Sequence, residues 1–334
     1  MKLSIGIVGL PNVGKSTLFK ILTKKEVNIA NYPFATIDPN VGIVSVPDER
    51  LDKLFSFSRS AKKIPAVVEF YDIAGLVKDA NKGEGLGNQF LANIRETNAI
   101  IQVVRCFQGG EIIHVENNVN PERDIDIINL ELIFKDIETV EKRITSLEKE
   151  ARGDKKKEKS LEIMKKLKEN LLTNKLANQL PEEIKEDKEV RELNLLALKP
   201  QIYLLNGNST DVSESLKEKI KNLKADFLIF DLAAAENIDE LIKKSYEILG
   251  LISFFTTGVD ESRAWTIKKE TKAPEAAGVI HTDFEKKFIR ADVINWQDLL
   301  NCGGWAEARQ KGKLRTEGKE YTVKDGDVLE IRHG

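Results

Sequence analysis

The chain has 334 residues, enough for two or three domains and a large core, with an apolar share ordinary for a soluble globular protein. Lys and Arg number 52 against 54 Asp and Glu, a net charge of −2 that excludes a generally basic nucleic-acid coat and leaves only local basic patches. Two cysteines, Cys106 and Cys302, are too few for a disulfide framework, so a reducing cytoplasm is the expected location. No apolar run is long enough to span a bilayer, so no membrane partner is expected. The short apolar run at the N-terminus leads straight into a loop motif, so it reads as the first strand of a fold and not as a signal peptide.

That motif is Gly9-Leu10-Pro11-Asn12-Val13-Gly14-Lys15-Ser16-Thr17, the pattern G-x-x-x-x-G-K-[ST] of a phosphate-binding loop. Its context is a predicted strand over residues 3–8 and a predicted helix from residue 18. Glycines let backbone N–H groups of residues 12–17 close around phosphate oxygens, and the helix N-terminus adds partial positive charge. Lys15 is placed to reach the β- and γ-phosphates, and the Ser16 hydroxyl to hold Mg²⁺. A nucleoside triphosphate is the expected ligand.

Residues 29–39 contain two prolines and no helical period, and read as a loop. Residues 41–46 and 66–71 read as short strands, the second ending in Asp72-Ile73-Ala74-Gly75. A carboxylate at a strand end followed by Gly is what a Mg²⁺-holding acid and a γ-phosphate-sensing amide require. Thr36 is then the hydroxyl expected to complete the Mg²⁺ shell, the alternative being a threonine that caps a turn. Asp72 acts on the metal through water, and Gly75 gives its N–H to the γ-phosphate. In Ras-like GTPases a Gln just after D-x-x-G orients the attacking water. Here that place is Leu76, which cannot. His114, just beyond a predicted buried strand at 100–104, is a candidate water-positioning group; a surface or packing histidine is the competing reading.

From residue 124 the texture changes. Ile133, Ile137, Val140, Ile144 and Leu147 alternate by four and three, a coiled-coil seam. The seam breaks at residues 152–157, a second helical stretch follows with Leu161, Met164, Leu167 and Leu171, and residues 182–198 read as a further helix. A helical hairpin is thereby inserted into the nucleotide-binding domain. Its lysine-rich tip suits rRNA, an acidic protein or only solvent. The strand at 201–205 leads into Asn206-Gly207-Asn208-Ser209-Thr210-Asp211, where guanine-specific relatives carry N-K-x-D. With Ser209 at the acidic position, strong guanine selection is not encoded, and adenine or weak selectivity is expected. Residues 227–230 read as a strand, 231–236 as a loop beside the base, and 237–249 as a helix. Beyond it, 278–280 and 288–290 read as paired strands, 296–300 as a helical turn, and 321–330 as strand, tight turn, strand.

These motifs resemble the Obg-like ATPases of the YchF type. The likeness runs through the phosphate loop, Asn31-Tyr32-Pro33-Phe34-Ala35-Thr36-Ile37-Asp38-Pro39, Asp72-Ile73-Ala74-Gly75-Leu76-Val77-Lys78, Lys82-Gly83-Glu84-Gly85-Leu86-Gly87, Val103-Val104-Arg105-Cys106-Phe107, Arg263-Ala264-Trp265-Thr266-Ile267 and Ala277-Gly278-Val279-Ile280-His281-Thr282-Asp283-Phe284. The resemblance implies an α/β fold: a Ras-like, mostly parallel P-loop domain over 1–123 and 200–275, a coiled-coil hairpin over 124–199, and a ubiquitin-like α+β TGS domain over 276–334. It also implies slow hydrolysis of ATP, with GTP weaker, Mg²⁺ as cofactor, and binding to ribosomes through the large subunit, with RNA contacts from the hairpin tip and the TGS domain. Asn12 matches the position that relatives use to hold an activating K⁺. The family's N-x-x-E element departs here at Ser209, which leaves the base contacts to backbone near Asn206 and Gly207. The competing functions are a nucleotide-gated ribosome- or RNA-binding module with incidental hydrolysis, and a GTPase of translation.

Overall fold

Unbroken apolar runs such as those at 4–8, 99–105 and 201–206 can be strands only where both faces are covered, which is the condition of a parallel sheet flanked by helices. The computed structural model describes residues 4–27, 40–72, 93–108, 118–151, 154–174, 176 and 179–334. In it, β1 (Ser4–Val8), β2 (Val41–Ser45), β4 (Val67–Asp72), β5 (Ala99–Arg105), β6 (Gln201–Asn206) and β7 (Asp226–Phe230) form one sheet in the order β2-β4-β1-β5-β6-β7. The pairs β1–β4, β1–β5, β5–β6 and β6–β7 are all parallel. A second sheet takes β3 (Lys62–Ile64), β8 (Leu251–Thr257), β9 (Glu261–Lys268), β10 (Phe288–Asn295), β11 (Arg315–Glu317) and β12 (Asp327–His333) in the order β11-β10-β12-β8-β9-β3. The α/β, P-loop class expected from the sequence is the class observed.

The chain divides into two compact units. The first holds β1, β5, β6, β7, helix α1 (Lys15–Thr23) and the helical insertion. The second holds α2 (Glu49–Ser58), β3 and everything from residue 239 onward, while β2 and β4 contribute residues to each. The second unit is therefore built from two stretches far apart in sequence. Its β3 pairs in parallel with β9, Lys62 opposite Glu261.

In the insertion, α3 (Pro121–Glu150) starts on an Asn120 side chain that accepts from the Arg123 N–H, and α4 (Lys155–Leu172) starts on Asp154 in the same way. Their shared seam buries Ile133, Val140 and Leu147 against Ile163, Met164, Leu167 and Leu171, at the heptad spacing read from the sequence. The expected single helix over 182–198 is instead two short ones, α5 (Glu182–Glu186) and α6 (Lys188–Glu192). Asp187 is extended, and its carboxylate caps α6 through the N–H groups of Glu189 and Val190, so the aspartate ends one helix by starting the next. Helices α7 (Glu214–Asn222) and α8 (Asp239–Ile248) follow.

Two expectations for the C-terminal region are corrected. Residues 278–280 are not a strand but the end of α9 (Ala273–Ile280), where Pro274 sits in the first turn and Ala273, Ala276 and Ala277 bury one face at helical spacing. Short α10 (Thr282–Lys286) then leads into β10. Residues 321–330 do not form a hairpin either. Asp327 accepts from the Lys324 N–H and the Tyr321 hydroxyl, which closes the turn on its own carboxylate, and β12 pairs antiparallel with β10 and touches β8. Helices α11 (Trp296–Cys302) and α12 (Trp305–Gln310) complete this α+β part.

Candidate functional site

Because the strands are parallel, β1, β4, β5, β6 and β7 all end on the same edge of the sheet. Register fixes which residues meet there: Ile7 lies beside Asp72, Val8 beside Gln102, and Arg105, Asn206 and Phe230 stand in one row. This edge, where the chain leaves β1 between β4 and β5, is where open α/β sheets bind ligands.

The loop between β1 and α1 is shaped by its glycines. Gly9 has φ 148°, and a Cβ there would lie 2.5 Å from the Val103 carbonyl oxygen. Gly14 has φ 109°, and a Cβ there would lie 2.5 Å from the Asn206 side-chain nitrogen. Neither position admits a side chain. Asn12 also adopts the left-handed region, at φ 62°. Gly14 stands at the N-cap of α1 with no side chain capping the helix, so the first-turn N–H groups face outward for an anion. Ser16 and Thr17 are exposed and Val13 is buried.

Lys15 is buried, and its ammonium donates to the carbonyls of Gly9 at 2.9 Å and Leu10 at 2.6 Å. Burial lowers its pKa to about 8 against the opposing pull of Asp72. Asp72, at the end of β4, is itself buried, and its Oδ1 has no hydrogen-bond partner among the described residues. A buried carboxylate oxygen in that condition is costly, and a hard cation or its water shell satisfies it. The Ser16 hydroxyl and Asp72 carboxylate form an all-oxygen donor set, so the residues fit Mg²⁺.

Asn206 closes the site from β6. Its side-chain N–H donates to the Val13 carbonyl at 2.9 Å, and its Oδ1 accepts from the Leu232 N–H at 3.1 Å. One amide thereby ties the phosphate loop to the loop after β7. The Gly207 N–H donates to the Phe230 carbonyl, and the Asn206 carbonyl accepts from the Cys106 N–H. Ser209 is exposed at the start of a 3₁₀ turn over Ser209–Asp211. The Asp211 carboxylate accepts from the Asn208 N–H at 2.8 Å, so the acid nearest the base element is spent on its own turn. The buried Arg105 lies over the half-buried Phe107 ring at 4.3 Å, a cation–π pair beside Gly207 that sequence reading missed; the R-x-F spacing was its one signal. Thr36, Gly75, Leu76 and His114 lie outside the described residues, so the site as described joins Asn12 to Thr17, Asp72, Asn206 and Gly207.

The sequence was compared with known proteins. Residues 4–166 match the family described as 50S ribosome-binding GTPase, and residues 251–334 match the YchF GTPase C-terminal family, described as a protein of unknown function. The Bacillus subtilis protein named ribosome-binding ATPase YchF is 47% identical, with 99% of each chain covered. This chain belongs to the YchF family. The Escherichia coli O157:H7 YchF, with the same name, is 44% identical over 98% of each chain. The solved structure titled Schizosaccharomyces pombe YchF GTPase superposes with a TM-score of 0.88 at 39% identity, covering 99% of this chain and 98% of that one. The YchF membership accounts for both the P-loop sheet and the α+β part after residue 250. Among the described residues, no helix is long and apolar enough to cross a membrane.

Proposed function

We propose that this YchF chain is a cytoplasmic, Mg²⁺-dependent ATPase whose nucleotide state governs its binding to ribosomes. The observation that carries the reading is the uncapped N-terminus of α1 with the buried Lys15 ammonium and the unpartnered Asp72 oxygen beside it. The names of its bacterial relatives supply the nucleotide and the partner.

Backbone N–H groups of Asn12 to Thr17 cradle the phosphates, and Lys15 exchanges the Gly9 and Leu10 carbonyls for β- and γ-phosphate oxygens. Ser16 and Thr36 would hold Mg²⁺ directly and Asp72 through water, and the ion when bound would neutralise phosphate charge. Gly75 donates to the γ-phosphate, and Asn12 holds an activating K⁺. Leu76 cannot orient water, so His114 or a group from the ribosome does so, and unassisted turnover is slow. Asn206 and Gly207 place the base by backbone contacts, and Asp211, tied to Asn208, is not free to read guanine. Nucleotide chemistry resides in 1–123 and 200–275, while the hairpin (124–199) and the TGS domain (276–334) face ribosomal RNA of the large subunit.

A second reading, GTP as substrate, is favoured by the GTPase title of the fission-yeast relative and by the GTPase description of the family that matches residues 4–166. Single-turnover hydrolysis of ATP and GTP, with and without ribosomes, separates the two. ATP turnover stimulated by ribosomes is expected. Faster GTP turnover would replace the first reading with the second, and no turnover of either would leave a nucleotide-gated binding module.

A further inference from the structure

A turn of helix at 93–96 leads into β5, and both roots of the helical insertion are fastened to it within the first unit. Toward the entering root, the Arg95 guanidinium donates to the Thr139 hydroxyl at 2.5 Å and to the Lys135 carbonyl at 3.4 Å, both on α3. Thr139 in turn donates to the same Lys135 carbonyl at 3.0 Å. From the leaving root, the Lys199 ammonium donates to the carbonyls of Arg95, at 3.0 Å, and Thr97. The wholly buried Asp136 carboxylate joins the two roots, accepting from the Leu196 and Ala197 N–H groups and lying 3.7 Å from Arg95. On its far side the turn is held to the sheet, where the Asn98 N–H donates to the Ser4 carbonyl at 2.8 Å.

Apolar contacts already hold these roots. Ile128, Leu132 and Leu196 bury against Ile94, Ile100 and Val8, and Val8 immediately precedes the phosphate loop. An ionic cluster laid over that core adds little net stability, because desolvation offsets the Coulomb gain. Burial lowers the Lys199 pKa to about 8 even with Asp136 beside it. What the cluster supplies is one fixed position of the turn relative to both roots. The stretch of chain that ends in this turn begins, in sequence, at Asp72 and Gly75.

We propose that Arg95 and Lys199 are positioning residues for nucleotide turnover, and that through them the nucleotide site and the helical insertion bias one another. A partner seated on the hairpin then changes hydrolysis, and by linkage the bound nucleotide changes how firmly the hairpin roots are held. The proposal rests on the nucleotide reading above and names its route of regulation.

The test is hydrogen exchange of the full chain, read peptide by peptide, in the ADP form and with a non-hydrolysable analogue of whichever triphosphate calorimetry shows to bind. In wild type, amides at 135–140 and 195–199 should differ about fivefold or more in exchange rate between the two forms. Arg95→Ala and the near-isosteric Thr139→Val should each shrink that difference to within about twofold, and Thr139→Ser, which keeps the hydroxyl, should restore it. The kcat of the first two variants should fall by about threefold or more with KM within about twofold of wild type. A clasp that serves only the fold would speed exchange equally in both forms and leave the difference between them intact. That result overturns the proposal, as does a wild-type chain with no difference at the roots under saturating nucleotide. If calorimetry finds no binding of ATP or GTP, the nucleotide reading falls and the clasp with it; if one binds and the roots do not respond, the clasp falls alone.

Discussion

The side-chain amide of Asn206 donates to the carbonyl of Val13 at 2.9 Å across 193 positions of sequence, and the same side chain accepts from Leu232. Three loops are thus held by one residue. Asn206→Ala leaves two backbone groups without partners, and a loss of roughly 2–4 kcal/mol of stability is expected, together with weaker binding of ATP and ADP alike. Chemical denaturation and nucleotide titration check this. Gly14→Ala should reproduce the binding defect, since its Cβ would collide with the same amide.

Lys15 gives a pH signature. Burial holds its pKa near 8, below the ordinary lysine value, so the folded chain releases this proton before the unfolded chain does. Protons are then held in excess by the unfolded state between about 8 and 10.5, and this residue's contribution to stability rises with pH across that window. Triphosphate binding needs the charged form, so affinity should fall roughly tenfold between about pH 7 and 9. The Lys15→Arg variant should show no such fall, and calorimetric titration at several pH values reads the difference.

Asp72→Asn removes a buried charge with an unpartnered oxygen. The melting temperature should change little, because relief of the unpartnered oxygen is offset by loss of the attraction between Asp72 and the buried Lys15 ammonium. Mg²⁺-dependent turnover should drop by about a hundredfold or more. A variant that melts lower and still hydrolyses would mean that the carboxylate serves the fold and not the metal.

Asp136 is a wholly buried carboxylate on α3 that accepts from the N–H groups of Leu196 at 2.9 Å and Ala197 at 2.7 Å, with Arg95 3.7 Å away. Burial raises its pKa to about 6, against the pull of the two backbone bonds, Arg95 and Lys199. An acid raised on folding takes up its proton first in the folded state, so its contribution to stability falls as pH rises from about 3.8 to 6. Asp136→Asn sets an amide N–H against a backbone N–H and should cost about 2–4 kcal/mol, measured by urea denaturation near neutral pH.

Much of the fold was legible because it rests on local rules. The apolar runs ending in Asp72 and Asn206 announced parallel strands, and the four-and-three spacing from Ile133 to Leu147 announced the hairpin seam. The failures came where a side chain overrode the pattern. Asp187 breaks a helix that its neighbours' composition would continue, and Asp327 captures a turn that alternation assigns to a hairpin. Gly278-Val279-Ile280 looks β-branched and short, yet the three alanines before it bury a helical face. In the site, Lys15 and Asp72 could be named from motif spacing. The Asn206 clamp could not, because its partners at Val13 and Leu232 are brought together only by the sheet order.

The pairing of β3 with β9 bears on how the chain is made. Lys62 leaves the ribosome long before Glu261, its partner across the ladder, has been synthesised. The stretch from 43 to 68 must therefore wait, with the Leu51 and Leu54 face of α2 uncovered, until the C-terminal strands appear. A fragment ending near residue 250 carries an orphan strand edge and an apolar helix face, and a fragment beginning at 251 lacks the strand that closes its sheet. The second unit can close only after residue 261 has been made, and its halves are poor candidates for separate expression.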